Sequence, residues 1–356
     1  MIENRDNITG VDRHSRSSSF IPSSLYLIMV AAPFSALGSL SVYDSYDETP
    51  HIGTRFPSKS VQLSAILAAP NSDELLKDLA TLVSHRGVVF FTDQDIEIEK
   101  QKELGTRLGR LGGNPATSTL HVHPISESTP ELTSDVSVIS SEGGIARVGY
   151  SNSNRASNGW HTDITFEPVP SDYAILKMHT LPAVGGDTLW ASGYEAYDKL
   201  SPAYQKFLEG LTAVHDGSGF VKHAKEQGRS INEPRGSPEN IGNKLQAVHP
   251  VIRTHPITGF KTLFVNKGFT IRIVELHEEE SQDVLAYLTR HVSENHDMQV
   301  RFRWGKNDVA IWDNRCTFHT ATNDYTGRRL GSRVVSIGEK PYFDPNSKSR
   351  RAVLDA

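Results

Sequence analysis

Apolar positions recur with helical spacing in the first part of the chain and with strand spacing further on. Four leucines share one face of residues 72–86, which predicts a helix with Ser72 as its N-cap and Gly87 just after its end. An apolar run at 87–91 predicts a buried strand, and the pattern at 95–113 predicts a second surface helix. We therefore expect helices that flank a buried strand.

Alternating apolar and polar residues, punctuated by Gly and Pro, predict many short strands after residue 133. Two strands are joined at Pro182–Gly186, another pair forms a hairpin that turns at Pro256–Gly259, and Ser201 before Pro202 marks a helix start. The strand spacing is too irregular for a parallel α/β fold. We predict a mainly β protein of the α+β class, with peripheral helices around a jelly-roll core (a double-stranded β-helix). The predicted strands lie within 134–140, 173–192, 249–265, 299–304, 308–312 and 332–338, and the later helices within 193–211 and 278–294.

The same pattern divides the chain into an extension and one domain. Residues 1–40 are predicted to form an N-terminal extension that is a candidate for disorder, and 41–356 a single domain. The apolar run at 25–37 is too short to span a bilayer and is interrupted by Pro33. The polar stretch 221–246 contains Pro and Gly and predicts either a disordered loop or a lid over a site.

Composition narrows the functional class only modestly. The chain has 37 Lys and Arg against 42 Asp and Glu, a net charge of −5, and no concentrated basic stripe, which argues against nucleic acid as a partner. The single cysteine, Cys316, excludes an intramolecular disulfide and favours a reducing compartment. We predict a cytoplasmic protein with no membrane partner, and homo-oligomerisation stays open. Phosphate-cradling glycine motifs are absent from the sequence.

One stretch combines a histidine and an aspartate that stand two residues apart. In "GWHTDITFEP" (159–168), His161 and Asp163 would share one face if the segment were a strand. A neutral imidazole nitrogen and a carboxylate oxygen, joined by a second distant histidine, form the two-histidine, one-carboxylate set of non-haem Fe(II) oxygenases. A hydrogen-bonded surface pair and a zinc hydrolase site are alternatives that this short motif leaves open.

A second histidine and two arginines follow far downstream. His319 lies after a predicted strand and turn, and Arg329 and Arg333 differ by an even number, so that on a strand they would face the same way. A planar guanidinium binds carboxylates in a bidentate way, as a 2-oxo diacid would require. The competing metal-ligand pairs are His121–His123 and His277–Glu279.

Several longer motifs run in order from residue 86 to 343. In these motifs the chain resembles the taurine dioxygenase (TauD/TfdA) family of Fe(II)- and 2-oxoglutarate-dependent oxygenases. The motifs are "RGVVFF", "LHVHP", "WHTDITFEPVPSDYAIL", "GGDTLWAS", "LFVNKGFTIRI", "VRFRWGKNDVAIWDNR" and "H…DY…GRR…R". The resemblance implies an oxygenase acting on a small molecule, whereas a non-catalytic jelly-roll binding protein would not need these motifs together.

The resemblance also implies a role for individual residues. His161, Asp163 and His319 would bind Fe(II), and Thr188 and Arg329 would hold 2-oxoglutarate. O₂ is the other cosubstrate, and ascorbate is the expected reductant. We expect the reaction to oxidise a C–H bond of a small acidic substrate.

The substrate side of the motifs departs from the family pattern. By resemblance, His123 would be the substrate-side histidine and Arg333 would meet the substrate's acidic group, while Phe269 and Phe166 are candidates for the pocket wall or for the core. Sulfonate-binding members carry an aromatic hydroxyl where this chain has Ser126 and an asparagine where it has Ser157, a further candidate substrate residue. A sulfonate such as taurine is therefore one candidate, and a carboxylate or a secondary metabolite is the other.

Overall fold

The computed structural model describes residues 37–126, 132–143, 145 and 155–354. The larger sheet of these residues has seven strands. All of its neighbouring strands pair antiparallel except β2 and β3, which are parallel. The sheet is thus assembled from strands far apart in sequence. In sheet order the strands are β1 (Tyr46–Asp47), β2 (Thr54–Phe56), β3 (Val88–Phe91), β13 (Val309–Asp313), β5 (Ser171–Thr180), β15 (Leu330–Ile337) and β4 (Ser137–Ser140).

A three-stranded sheet carries the second predicted histidine. Its central strand is β6 (Thr188–Ser192), flanked by β12 (Gln299–Phe302) and β14 (Thr317–Ala321). His161 joins β14 by an isolated antiparallel bridge. The His161 N–H donates to the His319 carbonyl at 3.0 Å, and the His319 N–H donates to the His161 carbonyl at 2.8 Å. This bridge brings together two residues separated by more than 150 positions.

Two smaller sheets complete the β structure of the described residues. The predicted hairpin around Pro256–Gly259 is confirmed as the pair β9 and β10. The other sheet places β7 between β11 and β8. The strands are β7 (Thr212–Asp216), β8 (Gln246–Pro250), β9 (Ile252–Thr254), β10 (Lys261–Leu263) and β11 (Thr270–Ile273).

The predicted helices are present, with one correction at a helix start. The helix predicted at 72–86 begins with Ser72 as its first helical residue, so Asn71 and not Ser72 is the N-cap, and Gly87 ends the helix with φ of +74°. Ser201 caps the next predicted helix by accepting the N–H of Tyr204. The helices are α1 (Leu63–Ala68), α2 (Ser72–Arg86), α3 (Ile98–Leu111), α4 (Gly193–Asp198), α5 (Pro202–Leu208), α6 (Ser218–Glu226), α7 (Glu278–Glu294) and α8 (Arg350–Leu354).

Two apolar layers lie on the two faces of the larger sheet. One face packs against α1, α2 and α3 through leucines of the helices and through Ile175 and Ile311 of the sheet. The other face forms a layer with the three-stranded sheet in which Trp190, Trp304 and Trp312 are buried. Burial of each large apolar side chain contributes roughly 1.5–3 kcal/mol. The second layer is the one that borders the site described below.

The described residues therefore form a mainly β protein of the α+β class, as predicted. The short 3₁₀-helix Gly38–Val42 belongs to this fold, because Leu40 is buried in the helical layer. The rest of the predicted N-terminal extension, residues 1–36, lies outside the described residues. None of the helices in the described part of the chain combines the length and the apolar character needed to cross a bilayer.

Candidate active site

The segment that carries His161 and Asp163 is not the strand that its sequence predicts. Only His161 forms a β-bridge, and residues 163–166 form a turn. Ile164 within this turn has φ of +50°, a left-handed conformation that a β-branched residue adopts only when its surroundings enforce it. The turn, and not strand alternation, is what brings the carboxylate beside the imidazole.

His161, Asp163 and His319 come together as one cluster. Their ligand atoms all lie within 4.8 Å of one another, and the Asp163 Oδ1 atom is 3.8 Å from His161 Nε2 and 3.9 Å from His319 Nε2. The Nδ1–H group of His161 donates to the Gly159 carbonyl at 2.7 Å, which leaves the Nε2 lone pair facing the cluster. Gly268 lets a neighbouring loop approach closely, since a Cβ there would lie 2.8 Å from the His161 Cβ.

The charge states of the cluster suit a divalent metal ion. Burial alone would raise the pKa of Asp163, but the Arg333 guanidinium and the neighbouring histidines lower it to about 2. Burial, helped by His161, lowers the pKa of His319 well below its usual range. A carboxylate and a neutral imidazole are the forms in which these side chains bind metals. The Oδ2 atom of Asp163 is buried and has no hydrogen-bond partner in the part of the chain that the structure describes, so the donor set fits an Fe(II) ion that would take it up.

The cluster forms part of the wall of a cavity of about 470 Å³. Both predicted arginines, Arg329 and Arg333, also line this cavity. Arg333 lies beside the cluster, and its NH1 group donates to Asp163 Oδ1 at 2.6 Å. The arginine predicted to meet the substrate is therefore also the ion-pair partner of the cluster's carboxylate.

Arg329 and Thr188 lie together at another part of the cavity wall. The Arg329 Nε–H group donates to the Gly186 carbonyl at 2.9 Å, and NH2 lies 3.4 Å from the Thr188 hydroxyl oxygen. The same oxygen accepts the indole N–H of Trp304 at 3.0 Å. Arg329 is 5% exposed, and no carboxylate of the described residues lies within ion-pair distance of it. A buried guanidinium without a counter-charge calls for an anionic ligand.

The predicted substrate residues divide into those that line the cavity and those that do not. His123, Phe166 and Phe269 line it. Ser157 is exposed and is not among the lining residues, although its neighbours on either side are. The Ser126 hydroxyl donates to the Ser134 carbonyl at 2.7 Å and also lies 3.1 Å from the His123 carbonyl, so it points into its own loop.

His123 offers the cavity a neutral ring. Burial, helped by His121, lowers the pKa of His123 well below its usual range. Its Nδ1 atom accepts the N–H of Ile125 at 3.3 Å, which places the ring proton on Nε2. The ring also packs edge-on against Phe220, with 4.7 Å between centroids.

Several cavity residues escaped prediction from the sequence. Phe220 lies on α6 and packs against both Phe166 and Phe269, at centroid distances of 5.5 and 6.2 Å. Arg155 and Asn158 line the rim. The polar, glycine-containing sequence around Phe220 gave no periodic signal. Asn158, however, directly follows Ser157, which occupies the position of the asparagine in sulfonate-binding members. Moving the motif by one residue places its asparagine at Asn158.

The segment 221–246, predicted as a lid or a disordered loop, begins within α6 and ends in buried contacts. Its Arg235 forms a fully buried ion pair with Glu167, and the Asn240 side chain bonds both the N–H and the carbonyl of Val169. The second half of the segment is thus anchored beside the turn that follows Asp163. Lid movement of the α6 end stays a prediction.

Comparison with known proteins agrees with this geometry. The family model described as "Taurine catabolism dioxygenase TauD, TfdA family" matches residues 44–335. The alpha-ketoglutarate-dependent dioxygenase btcD of Neocamarosporium betae is 44% identical over 342 residues, which cover 91% of this chain and 99% of btcD. An alpha-ketoglutarate-dependent sulfonate dioxygenase of Saccharomyces cerevisiae is 33% identical over 293 residues, which cover 81% of this chain and 67% of the yeast protein.

A solved structure shows the same relationship. The crystal structure of a taurine dioxygenase from Burkholderia xenovorans matches with a TM-score of 0.65 and 27% identity, covering 85% of this chain and 93% of that one. The family model spans most of the described residues, including the whole cluster of His161, Asp163 and His319. The chain therefore belongs to the TauD/TfdA family of dioxygenases that depend on α-ketoglutarate (2-oxoglutarate).

Proposed function

We propose that this chain uses Fe(II), 2-oxoglutarate and O₂ to oxidise a C–H bond of a small acidic molecule. The observation that carries the proposal is one cavity lined both by the cluster of His161, Asp163 and His319 and by the buried Arg329, which pairs with no carboxylate among the described residues. Family membership favours this activity over the zinc hydrolase and the non-catalytic binding protein that short motifs alone allow.

The three clustered side chains would hold the iron. All three side chains line the cavity, so an ion that they held would be accessible to cosubstrates bound there. When bound, the iron supplies the activation of O₂ that is coupled to oxidation of 2-oxoglutarate to succinate and CO₂. Ascorbate is the proposed reductant that would keep the iron in the Fe(II) state.

Arg329 and Thr188 would hold 2-oxoglutarate. The guanidinium is buried, already oriented by the Gly186 carbonyl, and free of other carboxylates among the described residues, so it is prepared to pair with the distal carboxylate. The Thr188 hydroxyl lies beside it and is oriented by Trp304. These contacts would fix the cosubstrate before O₂ enters.

The substrate would enter from the side of His123 and the phenylalanines. A neutral His123 would donate a hydrogen bond to an acidic group, and Arg333 would supply the compensating charge beside the cluster. Phe166, Phe220 and Phe269 would exclude water from the reacting carbon. A sulfonate fits the name of the yeast relative, whereas Ser126 and Ser157 depart from the sulfonate pattern, so a carboxylate or a secondary metabolite is the second candidate.

The finer fold and location are proposed on the same basis. The cavity is lined by residues of both the seven-stranded sheet and the three-stranded sheet, which supports a double-stranded β-helix core around the iron. The single cysteine, Cys316, is buried and free, which supports the cytoplasm as the compartment.

The test is succinate formation by the purified protein with 2-oxoglutarate, Fe(II), ascorbate and air. Succinate that taurine stimulates would support a sulfonate substrate. Slow succinate that taurine does not change would support the dioxygenase and direct the search to carboxylates and secondary metabolites. A protein that binds Fe(II) but forms no succinate with any acidic substrate tested would overturn the proposal, and Arg329→Ala is the control for dependence on the cosubstrate.

A further inference from the structure

The carboxylate of the cluster sits at a strained point of the backbone. Ile164 directly follows Asp163 and has φ of +50°, while its side chain is buried and lines the cavity. A left-handed conformation at a non-glycine residue costs on the order of 1–3 kcal/mol and persists only where surrounding contacts enforce it. Hydrogen bonds to the peptide groups around Asp163 are among the contacts that hold it.

Two buried side chains bond the main chain of Asp163. Its N–H donates to the Asn314 Oδ1 atom at 3.2 Å, and its carbonyl accepts the Ser171 hydroxyl at 3.0 Å. Both side chains are inaccessible to solvent, so water does not compete for these bonds. The peptide units on both sides of Asp163 are therefore fixed from outside the turn.

Asn314 is itself held firmly between β13 and β14. Its N–H donates to the Asp172 carbonyl at 2.7 Å, and its Oδ1 atom also accepts the indole N–H of Trp312 at 3.1 Å. The Trp312 ring lies 5.0 Å from the ring of His319. Asn314 thus ties the main chain of Asp163 to the connection between β13 and β14, the strand that carries His319.

We propose that Asn314 is a positioning residue for the metal cluster, with Ser171 as its partner. It acts by holding the strained turn so that the Asp163 carboxylate faces both histidines. This inference rests on the proposed function, because it treats the cluster as a metal site. The chemistry required at position 314 is a buried acceptor that can take two N–H groups, which an amide oxygen provides.

The chain offers a matched control in Asn240. Its side chain is also fully buried and also bonds a main-chain segment, accepting the N–H of Val169 at 3.0 Å and donating to the Val169 carbonyl at 2.8 Å. Neither Asn240 nor Val169 lines the cavity. Asn240→Ala should therefore cost stability in the same way as Asn314→Ala without affecting the cluster.

The experiment is calorimetric titration of the full chain with Mn(II), together with the visible spectrum of the Co(II)-loaded protein. Asn314→Ala should weaken Mn(II) binding by roughly 10–100-fold, as loss of an outer-shell partner does. It should also shift the Co(II) bands. Asn240→Ala should leave the Mn(II) affinity and the Co(II) bands unchanged, while lowering Tm about as much as Asn314→Ala does.

Equal Mn(II) affinity in the wild type and in Asn314→Ala, with Tm lowered as in Asn240→Ala, would overturn the positioning role and leave the proposed function intact. Absence of Mn(II) binding by the wild type would overturn both. If Asn314→Ala does not fold, Ser171→Ala removes the other bond to Asp163. An unchanged Mn(II) affinity in that variant would count against the inference in the same way.

Discussion

The chain brings three potential metal ligands within 4.8 Å of one another at two places among the described residues, and the two places differ in what surrounds the carboxylate. At the first, Asp163 borders a cavity and one of its oxygens has no hydrogen-bond partner. At the second, which joins His255, Asp313 and Cys316, all three side chains are enclosed. Ligand spacing alone does not separate them.

The environment of Asp313 explains the difference. Arg315 donates to Oδ1 at 2.9 Å and to Oδ2 at 2.7 Å, and Oδ2 also accepts from Ser84 at 2.9 Å and from His255 at 3.0 Å. Burial alone would raise the pKa of Asp313, but Arg315 and His255 lower it far below its usual range. A carboxylate whose acceptor positions are filled by fixed donors has no lone pair to offer a metal. Unfilled acceptor capacity next to a cavity therefore favours the first cluster over the second as the proposed metal site.

The largest expected effect is on turnover, from the first cluster. Asp163→Ala should lower succinate formation by roughly 10³-fold or more, the scale on which loss of a central catalytic group acts. It should also remove tight metal binding, since a ligand is lost. Circular dichroism should show the fold retained, because Asp163 lies in a turn at a cavity wall, but the free energy of unfolding should fall because the buried Arg333 loses its ion-pair partner. Turnover at the wild-type rate in this variant would refute the assignment of the cluster.

The matched change in the second cluster should act on stability. Asp313→Asn removes the buried charge that Arg315 and His255 face, and leaves Arg315 only the Glu339 carboxylate 3.6 Å from its NH1 group. Breaking a buried ion pair costs up to about 3–5 kcal/mol. Urea unfolding should therefore show a large fall in the free energy of unfolding. The folded fraction should still bind one Mn(II) ion per chain. Loss of Mn(II) binding with stability preserved would reverse the roles given to the two clusters.

Arg329 tests the second feature of the cavity. Arg329→Ala should raise the KM for 2-oxoglutarate by roughly 10²-fold, because loss of one partner of a buried charge pair costs about 2–5 kcal/mol. Mn(II) affinity measured without 2-oxoglutarate should not change, since Arg329 does not contact the three ligands. An unchanged KM would mean that the distal carboxylate binds elsewhere, for instance at Arg333.

Acid should act on the second cluster through His255. Burial lowers the pKa of His255 despite the raising effect of Asp313. Below about pH 6.5 His255 becomes protonated in the unfolded chain but stays neutral in the folded chain. The free energy of unfolding therefore falls by up to about 1.4 kcal/mol per pH unit as the pH is lowered. Asp313 has a lowered pKa, so its contribution is lost only below about pH 3.9, the unfolded value. Unfolding free energies at pH 7, 6 and 5 should fall less steeply in His255→Gln, and parallel curves would contradict this account.

Local patterns predicted the elements well because periodicity and turn residues act locally. The helix α2, with its four leucines and Gly87, and the hairpin at Pro256–Gly259 are where the sequence predicts them. Side-chain direction at the site depends on distant contacts and was predicted less well. His161 and Asp163 were expected to share a strand face, whereas a turn enforced by Asn314 brings them together.

The substrate side shows the same limit. Its position in a motif predicts Ser157 as a substrate residue. Ser157 lies in the 3₁₀-helix Ala156–Asn158, however, and its neighbours Ala156 and Asn158 line the cavity whereas Ser157 does not. Phe220 lies in a polar segment without periodicity, and only the packing of α6 against Phe166 brings it to the wall. The positions of His319 and Arg329 relative to the rest of the site likewise depend on how β14 and β15 pair with strands far away in the sequence. No local sequence pattern encodes that pairing.

The smallest expected effect comes from Cys316, the remaining member of the second cluster. Its thiol is buried and burial raises its pKa well above the usual range, so it is not a thiolate ligand at neutral pH. Cys316→Ala should cost about 1 kcal/mol, typical of a single core substitution. It should leave the Mn(II) stoichiometry and affinity unchanged. If this variant bound one Zn(II) or Mn(II) ion fewer per chain than the wild type, the second cluster would also be a metal site. Unfilled acceptor capacity at the carboxylate would then no longer distinguish the first cluster from the second.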